Sequence, residues 1–219
     1  MARSTTSGDV SAARRNRRDE VMRAAIEVFF DKGYAASSVQ DVADAVGVLK
    51  GSLYYYMESK EDLLRWIVED VHAQSKAILD EVLAMDVPAI ERLQEYIERH
   101  LKWYLVNVEE VTVFFRDSRY LTGESLQTAT TRRRAYERAI RNLITVAQKE
   151  GDVDGSVDPK SAAHFILSAV NHVPDWYRRG GGDPVSRVAA TYADLTVGTL
   201  VGTRPRPAVQ HRRRAAKAA

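Results

Sequence analysis

The chain has 219 residues, 45% of them apolar and 28% charged, enough to bury a sizeable core in one domain or in a small domain joined to a larger one. It contains no Cys, which excludes disulfides and thiolate metal sites and fits a reducing compartment. The net charge of +2 is unevenly spread: Arg14, Arg15, Arg17 and Arg18 precede the first periodic segment, and "RPRPAVQHRRRAAKAA" at the other end carries six cations and no acid.

These ends read as basic flexible arms, residues 1–18 and 204–219, suited to a polyanion through counterion release or simply to solubility. The opening "MARSTTSGDVSAARRNRRDE" has no apolar core of a secretory leader, and no stretch has the length of a membrane span. A cytoplasmic protein with no membrane partner is expected.

Hydrophobic spacing is helical nearly throughout. Val21, Ala25, Val28 and Phe29 make the first face, closed by Gly33. Ser37 or Ser38 offers an N-cap to "VQDVADAV", and Gly47 ends that helix after about two turns. A short helix holding "LYYY" is expected to stop near Met57. Ser59 then caps a long fourth helix through Leu63, Leu64, Ile67, Val71 and Ile78, with Glu61 and Asp62 in its first turn.

Pro88 opens a helix through Ile90, Leu93, Ile97 and Leu101, and "EEVTVFFRDSRYL" is taken as helical because no partner strand exists. Gly123 precedes a long helix that ends at the loop "GDVDGSVD". Asp158-Pro159 opens a helix to about Arg179, in which Pro174 predicts a kink. Asp183-Pro184 opens a last helix that ends before Pro205. The expectation is an all-α chain of about nine helices without a strand.

Two short helices around Gly47 are a helix-turn-helix, whose second helix enters the DNA major groove. Leu53 and Met57 share a face and pack inward, which turns Tyr54 and Tyr55 outward and leaves Tyr56 on the flank. The outward tyrosines, with Lys50 and Ser52, offer hydroxyls for phosphates, rings for thymine methyl groups and an amine for a guanine edge or a backbone oxygen. Gly51 permits close approach.

The stretch "SSVQDVADAVGVLKGSLYYYMESKEDLL" resembles the signature of TetR-type transcriptional regulators, a likeness that runs from about Asp19 to Leu64. It implies a helical homodimer with a helix-turn-helix domain, residues 19–60, and an effector-binding and dimerisation domain, residues 61–203. By position it places Ser38 and Gln40 at phosphates, Lys50, Gly51, Ser52, Tyr54, Tyr55 and Tyr56 on double-stranded operator DNA, and Lys60 at a further phosphate. Arg14, Arg15, Arg17 and Arg18 would add backbone contacts. Where this family usually has a small hydroxyl residue before the Lys, this chain has Leu49, so either an apolar contact to a base methyl has replaced a phosphate contact or that contact is lost. Met57 stands for the usual Phe, a tolerable core exchange.

Further on, "FFRDSRYL", "RRRAYERAIRNLI", "DPKSAAHFILSAVNHVPDWYRRGG" and "YADL" are similar to a subgroup that governs fatty-acid or steroid catabolism and responds to acyl-coenzyme A thioesters. That likeness implies a pocket for a hydrophobic effector with Trp103, Phe115, Tyr120 and Trp176 beside Phe114, and with Arg116 and Arg119 near a phosphorylated head group, as Arg178 and Arg179 would be. Leu167, Asn171 and Asp175 on the Pro174 helix put polar groups into an apolar wall. Packing in an ordinary core is the competing reading for the aromatics, and a solvated, ion-paired face for Arg132 to Arg134. The last two helices, with Ala189, Ala190, Ala193, Gly198 and Gly202, suit either a four-helix dimer interface or an intrachain core.

An enzyme is not expected, and no cofactor. His72, His100, His164, His172 and His211 lack metal-ligand spacing, and neither a nucleophile elbow nor a phosphate-binding glycine loop is present. A sequence-indifferent architectural DNA binder is the rival, on the strength of the basic arms. The expected function is a repressor on a palindromic operator, released by an acyl-coenzyme A thioester or another hydrophobic molecule.

Overall fold

A computed structural model of the chain describes residues 7–178 and 180–202, the first nine of them as backbone only. In order, it has α1 (Ser7–Lys32), α2 (Val39–Val46), α3 (Lys50–Leu53), α4 (Lys60–Leu83), α5 (Ala89–Val106), α6 (Val108–Asp117), a 3-10 turn (Ser118–Tyr120), α7 (Gly123–Glu150), α8 (Pro159–Asn171), α9 (Val173–Trp176) and α10 (Val185–Val201). Among the described residues there is no strand, and no helix is long and apolar enough to cross a membrane. The all-helical expectation holds.

Helix ends follow local chemistry. Gly33 and Gly47 take φ of 81° and 74°, the left-handed conformation that stops α1 and α2 and that a β-carbon disfavours. Ser38 and Asp41 form a reciprocal capping box on α2, and Ser59 with Asp62 repeats it on α4. Asp158 caps α8 by accepting from the Ser161 amide at 2.9 Å.

Three expectations need correction. α1 begins at Ser7, so the segment expected as a flexible arm is helical from there to Arg18, and Ser7–Lys32 is one helix. The tyrosines lie beyond α3 rather than inside it: α3 ends at Leu53, and Tyr54 to Tyr56 form a turn closed by Tyr56 and Met57 amides donating to the Leu53 carbonyl. Pro174 breaks its helix instead of kinking it. Without an amide hydrogen it cannot continue the α8 ladder, so α8 stops at Asn171 and the proline sits in the first turn of the separate short α9.

Two cores stack along the molecule. The N-terminal core joins Val21, Ala25 and Phe29 of α1, Val42 and Ala43 of α2, Leu53, Met57, and Leu63, Leu64, Trp66, Ile67 and Val68 of α4. The C-terminal core gathers Leu79 and Val82 of α4 with α5, α7, α8 and α10. α4 and α6 belong to both: Val111 of α6 is buried in the C-terminal core and Val113 in the N-terminal one. α4 and α6 thus each run unbroken from one core into the other.

Candidate functional site

The α2–α3 face is built from what its buried side leaves over. Leu53 and Met57 are buried, which turns Leu49, Lys50, Gly51, Tyr54 and Tyr55 outward. Leu49 and Tyr55 are each 81% exposed and Tyr54 is 48% exposed, with Lys50 and Gly51 beside them at the surface. Ser52 and Tyr56 are half-buried, and Tyr56 packs against the N-terminal core. Ser38 and Gln40 are exposed at the start of α2, the first engaged with Asp41 and the second donating to Asp44 at 2.7 Å. The Ser38 hydroxyl thus serves as a cap, and the Lys32 ammonium and Ser38 together hold the Asp41 carboxyl well below the usual carboxylate range.

Lys60 does something other than expected. Its ammonium donates to the Tyr34 and Ser37 carbonyls and lies 4.2 Å from the centre of the Tyr34 ring, closing the α1–α2 turn from below. Burial pulls its pKa below the ordinary lysine value. A half-buried amine bound to two backbone carbonyls and seated over the Tyr34 ring is turned inward rather than towards a phosphate, which corrects the expectation. Arg17 pairs with Glu20, and the Arg18 guanidinium lies 4.5 Å from the centre of the Trp66 ring. The side chains of Arg14 and Arg15 lie outside the described residues, as do Arg179 and the 204–219 tail.

A second feature opens between α4 and α7. A cavity of about 720 Å³ is walled by Ala73, Lys76, Leu79, Leu83, Arg132 and Tyr136, among others. Its inner side meets a smaller chamber of about 60 Å³ lined by His72, Ser75, Tyr104, Phe114, Phe115, Arg133, Tyr136 and Asn171. Burial, with the Arg132 and Arg133 cations beside it, pulls the His72 imidazole down to about 4, so it is neutral near pH 7. Behind the chamber His100 is fully buried, with its Nε2 3.2 Å from the Tyr136 hydroxyl and its Nδ1 without a hydrogen-bond partner. The Asn171 Oδ1 is likewise buried and unpartnered. Apolar walls, a few unspent polar atoms and basic residues at the rim are what a small amphiphilic molecule requires.

Of the residues expected at an effector, Phe114, Phe115 and Asn171 line the chamber and the others stand elsewhere. Trp103 is half-buried against Tyr104. Arg119 lies over the Tyr120 ring, and Tyr120 packs on Tyr34 of the N-terminal unit. Leu167 packs on the C-terminal core, Asp175 is exposed, and Trp176 stacks on Tyr192 of α10, away from the cavity. Among the small residues of α10, Ala189 and Ala193 are fully buried within the chain, as in the intrachain reading. Sequence reasoning missed His72, Ser75, Lys76, Tyr104 and Tyr136. The signal was present in α4 and α5, where His72 with Ser75 and His100 with Tyr104 put polar side chains, three and four residues apart, on otherwise apolar faces.

Arg116 also has another task. Its guanidinium donates to the Phe29 and Phe30 carbonyls at the end of α1 and pairs with Asp117 at 2.8 Å. Asp117, 2% exposed, accepts in turn from the Tyr34 amide at 3.3 Å. The last turn of α6 is thereby fastened to the N-terminal unit. Immediately before it, Phe114 and Phe115 form the chamber wall, with His72 edge-on to Phe114 at 5.2 Å.

Two family models match the chain: "Bacterial regulatory proteins, tetR family" over residues 21–67, and "Tetracyclin repressor-like, C-terminal domain" over residues 86–200. The chain is 24% identical over 197 residues to the HTH-type transcriptional repressor KstR2 of Rhodococcus jostii, covering 88% of this chain and 95% of that protein. It is 23% identical over 158 residues to the fatty acid metabolism regulator protein of Bacillus subtilis, covering 72% of this chain and 81% of that one. Among solved structures, AibR in complex with isovaleryl coenzyme A and operator DNA superposes with a TM-score of 0.73 at 25% identity, over 84% of this chain and 98% of that one. The helix-turn-helix face, the helical cavity domain and both family matches agree: the chain belongs to the TetR family of bacterial transcriptional regulators.

Proposed function

We propose that this regulator represses transcription as a homodimer on a two-fold operator and lets go when an acyl-coenzyme A thioester fills the α4–α7 cavity. The observation that carries the reading is the run Phe114–Phe115–Arg116–Asp117, in which chamber wall and fastening to α1 are consecutive residues of one helix. An effector that displaces the wall displaces the α1 contact, and with it the α2–α3 face. It weakens DNA binding by its differential affinity for the two arrangements. The rim residues Lys76, Arg132 and Arg133 supply charge for a phosphorylated head, and Ala73, Leu79 and Leu83 an apolar lining for an acyl group. KstR2 as a repressor and AibR bound to isovaleryl coenzyme A make the same assignment reasonable.

Dimerisation is proposed through the outer faces of α8, α9 and α10. Phe165, Leu195 and Trp176 are exposed there, an apolar surface a monomer seldom leaves bare, whereas Val188, Ala189 and Leu200 face inward. The two α2–α3 faces would then meet successive major grooves about 34–36 Å apart or a multiple of that. Fluorescence anisotropy on DNA from the gene's own upstream region, against scrambled DNA at fixed salt, tests the reading. Selective binding released by a long-chain acyl-coenzyme A is expected. Selective binding indifferent to every thioester would leave a regulator with a different hydrophobic effector, and equal binding to both DNAs would favour an architectural role.

A further inference from the structure

We propose that Leu49 is a base-reading residue, packing its isobutyl group against the 5-methyl group of one thymine in each operator half-site. The proposal rests on the reading of α2–α3 as the DNA-binding face. It adds a sequence requirement that the family assignment does not contain.

Leu49 is the residue on which α3 begins, with extended backbone (φ −70°, ψ 138°) and no side-chain cap hydrogen bond. Its side chain belongs to neither core. Its neighbour Val48 already packs on the N-terminal core, as do Leu53 and Met57, while Leu49 itself is 81% exposed. Seating a leucine this exposed against an apolar partner removes its surface from water, a gain the free protein does not take. It is flanked by Lys50 and lies on the same surface as Tyr54 and Tyr55, so the partner is whatever that surface meets.

The chemistry then selects the contact. Residues at the N-terminal end of a recognition helix reach base edges. A leucine has no donor for a phosphate, a role the Lys50 amine and the tyrosine hydroxyls can fill. The apolar group that the four bases present in the major groove is the methyl of thymine. A side chain that can neither donate nor accept is therefore useful there only against that methyl, and a cytosine at the same position would leave it against a polar amine.

Replacing thymine by uracil removes that methyl and leaves base pairing intact, so a dT→dU scan of the operator is the direct test. Wild-type protein, Leu49→Ala and Leu49→Ser are compared by anisotropy on the same set of duplexes, with thermal melts to confirm folding. One thymine per half-site should lose about fourfold in affinity on losing its methyl, and about fifteenfold when both half-sites are changed. In Leu49→Ala and Leu49→Ser that penalty should vanish at this position, while penalties at thymines touched by the tyrosine rings persist.

A scan in which no uracil penalty depends on residue 49 overturns the proposal. A Leu49→Ala loss that is the same on every duplex also overturns it and assigns the side chain to sugar or non-DNA contacts. Failure of the underlying reading looks different, because wild-type protein would then not distinguish operator from scrambled DNA at all.

Discussion

Lys50 and Lys60 carry the same charge on neighbouring helices and have different surroundings. Lys50 is exposed beside the tyrosines; Lys60 is bonded to two carbonyls under the α1–α2 turn. Replacing Lys50 by Ala should weaken binding to all sequences and lower the salt slope by about 2, one phosphate contact being lost from each half-site. Replacing Lys60 by Ala should leave the slope unchanged and lower the unfolding free energy by about 1.5–3 kcal/mol, since the carbonyls lose charged donors. A salt titration alongside a denaturant melt separates them, and a fall in slope for the Lys60 variant would restore it as a phosphate contact. His100 gives a pH prediction at the same scale. Burial pulls its imidazole down to about 3. The folded value lies below the unfolded value of about 6.5, so its contribution is intact above pH 6.5. It is lost as the pH falls from there towards the folded value, at about 1.4 kcal/mol per pH unit. Between pH 6 and 4 the stability of His100→Gln should fall less steeply than wild type by about that slope. Parallel pH profiles from urea melts would mean that His100 does not resist protonation.

At the scale of elements, α4 and α6 deserve equal weight as levers, because each is buried in both cores. The double change Arg116→Met with Asp117→Asn removes both charges together, so that no carboxylate is left buried alone. The protein should still bind DNA, while the factor by which effector weakens that binding collapses towards one; an unchanged factor would put the coupling elsewhere. Much of this architecture was legible in the residues. Gly33, Gly47, Ser38, Ser59 and Asp158 act at helix ends where cap chemistry puts them, and Leu53 and Met57 face inward as their spacing requires. The cavity was less legible. Its walls come from α4, α5, α6, α7 and α8, and spacing within one helix reports which face is buried but not which neighbouring helix stands back from it. Arg116 shows the same limit: an arginine after two phenylalanines reads as a ligand for an anion, and only the fold brings the open carbonyls of α1 to it.

The whole molecule poses the question of how one chain reaches two half-sites. An exposed face bearing Phe165, Trp176 and Leu195 answers it if two copies bury that face against each other. Leu195→Glu should place unpaired charges at the centre of the interface and give a monomer by light scattering, with operator affinity falling at least a hundredfold as the second half-site is lost. A variant that stays dimeric would move the interface elsewhere. The central claim, that cavity and DNA face are coupled, has a stricter consequence still. Coupling is reciprocal, so operator DNA must weaken the binding of effector by the factor by which effector weakens the binding of DNA. The decisive measurement is calorimetric titration of a long-chain acyl-coenzyme A into the protein, alone and saturated with operator duplex. The account predicts affinity lower on DNA by the factor seen in anisotropy; equal affinity in both titrations would contradict it.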